Sequence, residues 1–217
     1  MLAQGDARAE ALRFAGKEDR RMTGTNDRAS ARDRIIKAAT ELFWHHGYHA
    51  VSTDAICKAA KVSKSSLYHA FPSKEAIAAE TLERVWAANW SDISQIYSGD
   101  GDVESMFKAH LDWFVTSQRL LLEEYGGVLG TFNMALGVAV PDGIRETMRA
   151  HQLEHAARIR ASVQAVLAKR NMADDADWLA DLVDHVLAGA LIRARLANVL
   201  APLEAVPGAI LRLLKIT

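Results

Sequence analysis

Residues 59–75 read AAKVSKSSLYHAFPSKE. Four serines, three lysines, a tyrosine and a histidine crowd among a few apolar residues. Ser63 is placed to cap a short helix that carries Leu67 and Phe71 on one face. The segment FPSKE then breaks the chain, and Ser73 starts a new helix. Upstream, Ser52 or Thr53 caps another short helix bearing Ile56, Ala59 and Ala60. Thr53–Ala60 and Lys64–Ala70, joined by a tight turn, make a helix-turn-helix pattern. The second helix of such a pair fits the major groove of DNA, with its first side chains at the base edges. The first helix supports it and points its own N-terminus at a phosphate. The polar cluster is thus a nucleic-acid-facing edge on a small apolar support.

Working outward, helical periodicity dominates. Ile35, Ala38, Ala39, Leu42 and Phe43 follow the spacing of an amphipathic helix, with Ser30 as its cap and Gly47 as its stop. From Ser73 a long helix carries Ile77, Leu82, Val85, Trp86, Ile93 and Ile96 and ends near SGDGD. Val103, Phe107, His110, Phe114 and Leu121 line the next one. GGVLGTFNMALGVAV, residues 126–140, is short and apolar and stops at Pro141. Ile144, Met148, His151, His155, Ile159, Ser162 and Val166 share a long helix. Trp178, Leu182, Val186, Gly189 and Leu196 share another, and AILRLLKI, residues 209–216, closes the chain. No strand pattern and no internal repeat is found. The fold class is all-α: an N-terminal three-helix helix-turn-helix domain, 28–73, then a larger C-terminal helical domain, 74–217. Residues 1–27 show no period and read as a flexible tail, within which Met22 offers an alternative translation start.

Bulk properties narrow the function. The chain has 217 residues, half of them hydrophobic, enough to bury a real core. A single cysteine excludes a disulfide framework and a Cys-based zinc site, and a reducing, cytoplasmic setting is expected. No apolar run approaches the ~18 residues of a membrane span, and no signal peptide is expected at the N-terminus. The net charge of -1 hides an asymmetry. Residues 28–75 carry 8 basic and 4 acidic side chains, whereas residues 76–217 carry 13 and 18. A positive head on an acidic body suits a polyanion-binding module. No serine sits in a nucleophile-elbow context and no glycine loop follows a strand, so no enzyme and no cofactor is expected.

The segment ARDRIIKAATELFWHHGYHAVSTDAICKAAKVSKSSLYHAFPSKE resembles the TetR family of one-component transcriptional repressors. The likeness covers about 45 residues closely and the rest through helix order and length. It implies a DNA-binding head and a second domain for ligand binding and dimerisation. It also assigns roles. Thr53, with the backbone beside Ser52, holds a phosphate. Ser63, Lys64, Ser65, Ser66, Tyr68 and His69 lie on the recognition helix, and Lys74 makes a further phosphate contact. Leu67 and Phe71 are packing positions, and Cys57 a small packing residue. Two departures stand out: Lys61 occupies a turn position where relatives usually have Gly, and Ala70 stands where they often have an aromatic residue or His.

For the second domain, aromatic and polar residues on otherwise apolar faces are the expected ligand contacts: Trp86, Phe107, His110, Phe114, Phe132, Met148, His151, Trp178 and His185. His151 and His155 stand at i, i+4, a spacing that suits one metal ion or a polar seam. The wide apolar faces of residues 177–197 and of AILRLLKI predict a homodimer. The function expected is a ligand-responsive repressor that releases a palindromic DNA operator when a small, largely apolar effector binds. The competing reading is a small-molecule- or metal-binding helical protein without operator binding.

Overall fold

A computed structural model describes residues 30–125, 140–172 and 176–216. Within them the chain forms helices and turns, with no strand. The described parts of Met1–Trp90 and Gly130–Met148 make one compact unit, and those of Ser91–Leu129 and Arg149–Thr217 a second.

The first unit begins with α1 (Ala31–Ala50), α2 (Thr53–Ala60), α3 (Lys64–Ala70) and the start of α4 (Lys74–Tyr97). A serine opens each of these helices. Ser30, Ser52, Ser63 and Ser73 accept from the backbone N–H three residues on, at 3.1, 3.1, 3.0 and 3.1 Å. Each satisfies one of the donors a helix start leaves unpaired. At α2 the cap is Ser52, which leaves Thr53 as the first helical residue. Helical geometry in α1 is interrupted at Gly47, with φ 74° and ψ 168°, a region open essentially to glycine alone. The stop expected there is real, although helical turns resume and run on to Ala50.

Ile35, Ile36, Ala39 and Phe43 from α1 meet Ile56 and Ala60 from α2, Leu67 from α3, and Phe71, Ile77, Ala78 and Leu82. Val140 and Ile144 complete this core. Cys57 is buried in it, in the packing role expected.

The second unit holds the end of α4, α5 (Val103–Tyr125), most of α6 (Asp142–Ala168), α7 (Ala176–Ala197), α8 (Ala201–Glu204) and α9 (Val206–Leu213). Its core takes Phe107, Leu111 and Val115 from α5, and Ile159, Val163, Val166 and Leu167 from α6. Leu179, Val183, Leu187, Leu191 and Ala194 of α7 join Leu203, Val206, Ile210, Leu214 and Ile216. Pro202 and Pro207 sit in the first turns of α8 and α9, where a missing N–H costs nothing. Arg119 on α5 pairs with Glu204 on α8 at 2.7 Å. The expected face of α7 is out of phase: Trp178, Gly189 and Leu196 point outward, and the buried set lies one residue further along. The helix is apolar on more than one side, so periodicity alone fits both faces. The segment 126–139 lies outside the described residues.

Candidate nucleic-acid interface

The helix-turn-helix is held by backbone geometry before any side chain acts. Lys61 ends α2 in the left-handed region, φ 53° and ψ 48°. Its N–H reaches Lys58 O at 3.3 Å and the N–H of Val62 reaches Cys57 O at 3.1 Å, a Schellman closure. The same closure ends α6 at Asn171 and α7 at Asn198. Asparagine tolerates that backbone; lysine does so at a cost of roughly 1 kcal/mol against glycine.

α3 is anchored by one side chain: Leu67 is its buried residue among those described. Lys64, Ser65, Ser66, Tyr68 and His69 are all exposed, and Tyr68 at 47% is no packing residue. A shallow groove between α1 and α3 is lined by Ala31, Arg32, Ser65, Ser66, His69 and Ala70. Ser52 spends one of its two oxygen lone pairs on the cap and retains its O–H to donate. Thr53, half-buried, follows it at the α2 N-terminus. Ser63 and Ser66 share a hydroxyl–hydroxyl bond of 2.8 Å, so Ser65 is the serine of this helix with the more open hydroxyl.

Several cations of the head are engaged within it. Lys64 Nζ lies 2.8 Å from Asp54 Oδ1 on α2, and that hydrogen bond raises its pKa. Lys74 Nζ donates to the carbonyls of Tyr48 and Val51, each at 3.0 Å, and sits 4.1 Å from the centre of the Tyr48 ring. Burial lowers its pKa. Two of its three N–H bonds close the end of α1, which leaves one for a phosphate. Arg34 Nε donates to Ala60 O at 3.3 Å.

A clamp of residues distant in sequence lies beside this surface. Arg32 stacks 4.2 Å over the Phe71 ring, donates to Ala70 O at 2.8 Å and pairs with Glu80. Arg84 bridges Glu80 at 2.7 Å and Asp33 at 2.9 Å. Burial alone would raise the Asp33 and Glu80 carboxyls. Hydrogen bonds from Ser30 and Arg84, and from Arg32 and Arg84, outweigh it and hold both below the usual range. The i, i+4 pair Glu80–Arg84 was its one visible signal in the sequence.

Residues 35–81 match the family model described as bacterial regulatory proteins, tetR family. That matched segment, the head of the chain, is of the TetR type. The chain is 39% identical over 97 residues to the HTH-type transcriptional regulator UidR of Escherichia coli, covering 43% of this chain and 48% of UidR. It therefore spans about half the length of that curated relative. A TetR transcriptional regulator from Chloroflexus aurantiacus is 26% identical with a TM-score of 0.68, over 83% of this chain and 91% of that one. A regulatory protein TetR from Rhodobacter sphaeroides shares the fold at a TM-score of 0.71 and 24% identity, over 84% and 97%.

The residues expected to contact a ligand are spread over both units. Trp86 stacks on Trp90 at 5.5 Å, and Met148 packs against the head core. Both belong to the first unit. In the second, Phe107 is fully buried core, Phe114 and His151 are half-buried, and Trp178 and His185 are exposed on the outer side of α7. Phe132 lies outside the described residues. His110 alone joins a polar cluster, in which it and Ser162 are buried and Tyr97 and His155 half-buried; those other three were not among the expected contacts. Ser162 Oγ donates to the Tyr97 hydroxyl at 2.8 Å, and that hydroxyl lies 3.1 Å from His110 Nδ1. Burial, then His155 and Arg158, push the His110 pKa down to about 3; burial also lowers His155. Tyr97 was findable, four residues beyond the core residue Ile93 on the same helix. Among the described residues no three His, Cys, Asp or Glu side chains are grouped to hold a metal.

Proposed function

We propose that this TetR-family chain is a ligand-responsive DNA-binding transcriptional regulator. More narrowly, it is a repressor that holds a palindromic operator as a homodimer and releases it when a small, largely apolar effector binds. Residues 28–73 are the DNA-binding domain and 74–217 the ligand-binding and dimerisation domain. The observation that carries the reading is α3: a helix with one buried anchor and Lys64, Ser65, Ser66, Tyr68 and His69 exposed on it.

The roles follow from position. Lys64 and Ser65 open the recognition helix and read base edges; Ser52, Thr53, Tyr68 and Lys74 hold phosphates, which set register. The outward stripe of α7, with Trp178, His185, Gly189 and Leu196, is the dimer face. A Cβ at Gly189 would meet nothing within 4 Å, so a second backbone has room to approach. Two heads related by a two-fold axis place half-sites about 34–36 Å apart or somewhat more. An effector that favours another spacing lowers operator affinity by its preference between the two states. No described helix is long and apolar enough to cross a membrane, and the reading places the protein in the cytoplasm.

Selection of bound genomic fragments, followed by gel shift, tests this. Enrichment of one approximate palindrome supports it. Absence of any enriched fragment favours the competing reading, a helical small-molecule- or metal-binding protein without operator binding. Light scattering of Gly189→Arg tests the dimer face: the parent runs as a dimer and the variant as a monomer.

A further inference from the structure

Three helices bring hydrogen-bonding side chains together inside the second unit. Tyr97 ends α4, His110 lies on α5, and His155 and Ser162 lie on α6. Bonds run along them in sequence. Ser162 Oγ donates to the Tyr97 hydroxyl at 2.8 Å, and Tyr97 reaches His110 Nδ1 at 3.1 Å. When the Tyr97 O–H donates to Nδ1, the one proton of a neutral imidazole sits on Nε2. That atom ends the chain of bonds in the interior. His110 is 1% exposed, and among the described residues its Nε2 has no hydrogen-bond partner. Unpaired buried polar groups are rare because each forfeits its hydration without return.

The surroundings restrict what can meet this nitrogen. The rings of Tyr97, Trp113 and His155 stand 5.6, 5.9 and 5.3 Å from that of His110. Arg158 stands 5.0 Å over the Tyr97 ring at the edge of the cluster; at Nε2 itself a neutral imidazole offers a hydrogen bond and no formal charge, which suits a polar neutral group. Ser162 Oγ also lies 2.9 Å from Arg158 O. With its proton on that carbonyl, the chain of bonds reverses and Nε2 becomes an acceptor. A hydroxyl serves Nε2 in either state, because it both donates and accepts; a carbonyl serves only one.

We infer that His110 Nε2 is the polar anchor of an apolar ligand bearing one uncharged hydroxyl, a phenol or an alcohol, held at the Tyr97–His110–Ser162 cluster. This rests on the effector reading above and names the chemistry of its ligand. The probes are p-cresol and toluene, which differ by one hydroxyl, titrated into the full-length protein by calorimetry. The imidazole nitrogens are followed by NMR in histidine-labelled protein. p-Cresol should bind saturably, at least about tenfold more tightly than toluene, and shift the His110 Nε2 resonance. His110→Phe should erase the preference. Tyr97→Phe, which keeps the ring and removes the hydroxyl that fixes Nδ1, should reduce it and provides the test if His110→Phe does not fold. Equal affinity for the two probes, no saturable p-cresol binding at millimolar concentration, or a preference that survives His110→Phe overturns the inference. So does an Nε2 resonance unmoved at saturation, the signature of an internal water that holds the atom. Operator release separates the two readings: p-cresol that binds at His110 and leaves operator affinity unchanged keeps the anchor and removes the effector role.

Discussion

α3 and α7 put their apolar residues to opposite uses. α3 has seven residues and one buried side chain, Leu67; everything polar on it faces out. α7 has 22 residues, of which eight are buried, and still shows Trp178 and Leu196 on its outer side at 54% and 80% exposure. On a short helix with a single buried side chain, the binary pattern identifies the outward face. On a long helix apolar on two sides, the pattern says only that both sides want cover. The same contrast separates how each carries load, and mutations can break it.

The largest effect is expected at Leu67. Leu67→Ala should cost about 2–5 kcal/mol and sharply weaken DNA binding, because Leu67 is the one buried side chain within α3 and Phe71 anchors only its end. Leu187→Ala on α7, also buried at 3%, should cost a comparable amount and leave DNA affinity intact below the melting transition. Urea denaturation with a parallel gel shift checks both. If Leu187→Ala loses DNA binding while folded, the division of labour between the two helices is wrong.

That contrast also explains what was legible in the sequence. The serine caps, at α2 down to Ser52 or Thr53, and the Gly47 stop were readable because each depends on a residue type at a local position; the left-handed Lys61 was not, since nothing in a lysine signals that backbone. The α7 phase was not, since Trp178, Leu182 and Val186 make as regular a stripe as Leu179, Val183 and Leu187. The long links of the clamp, Arg32–Glu80 and Asp33–Arg84, and the Tyr97–Ser162 bond join residues 48 to 65 positions apart, beyond any local pattern. Nor could the sequence show that Lys64 and Lys74 spend part of their hydrogen-bonding capacity inside the head.

Gly47 comes next in size. Its φ and ψ exclude a Cβ, so Gly47→Ala should cost about 1–3 kcal/mol. Thermal melting of the variant checks it. Gly189→Ala, inside α7 where a Cβ meets nothing within 4 Å, is the contrast and should raise monomer stability by up to about 1 kcal/mol.

The Asp33–Arg84–Glu80–Arg32 clamp predicts acid sensitivity of the head. Both carboxyls are held below their usual range when folded. Their contribution is present in full above the unfolded values of about 4 and is lost as pH falls through the depressed folded values. Stability measured against pH should fall on that limb, and Glu80→Gln should flatten it. An unchanged acid limb in Glu80→Gln would show that the clamp contributes nothing.

A smaller gain is expected at Lys61. Lys61→Gly relieves a left-handed backbone and should stabilise the protein by up to about 1 kcal/mol, less the extra chain entropy of glycine when unfolded. Asn198→Gly, at the matching closure of α7, should gain less, because asparagine already tolerates that region. Equal gains at both sites would mean that side-chain type does not set the cost.

The smallest effect separates Lys64 as a DNA contact from Lys64 as part of the head. Its ammonium is 2.8 Å from Asp54, and both side chains are more than half exposed. Such surface pairs are weak, so the carboxylate competes only modestly with DNA. Asp54→Asn keeps the shape, releases the ammonium and removes a negative charge beside the phosphates. Operator affinity should therefore rise by about two- to fivefold. A phosphate contact would raise affinity for operator and random DNA alike and steepen the salt dependence. A base contact should raise operator affinity more, because only the correct base edge rewards the freed donor. A salt titration of parent and Asp54→Asn on both DNAs reads the difference. Equal gains assign Lys64 to the backbone and leave Ser65 as the reader at the start of α3, while a fall in operator affinity would show that Asp54 orients Lys64 rather than restraining it.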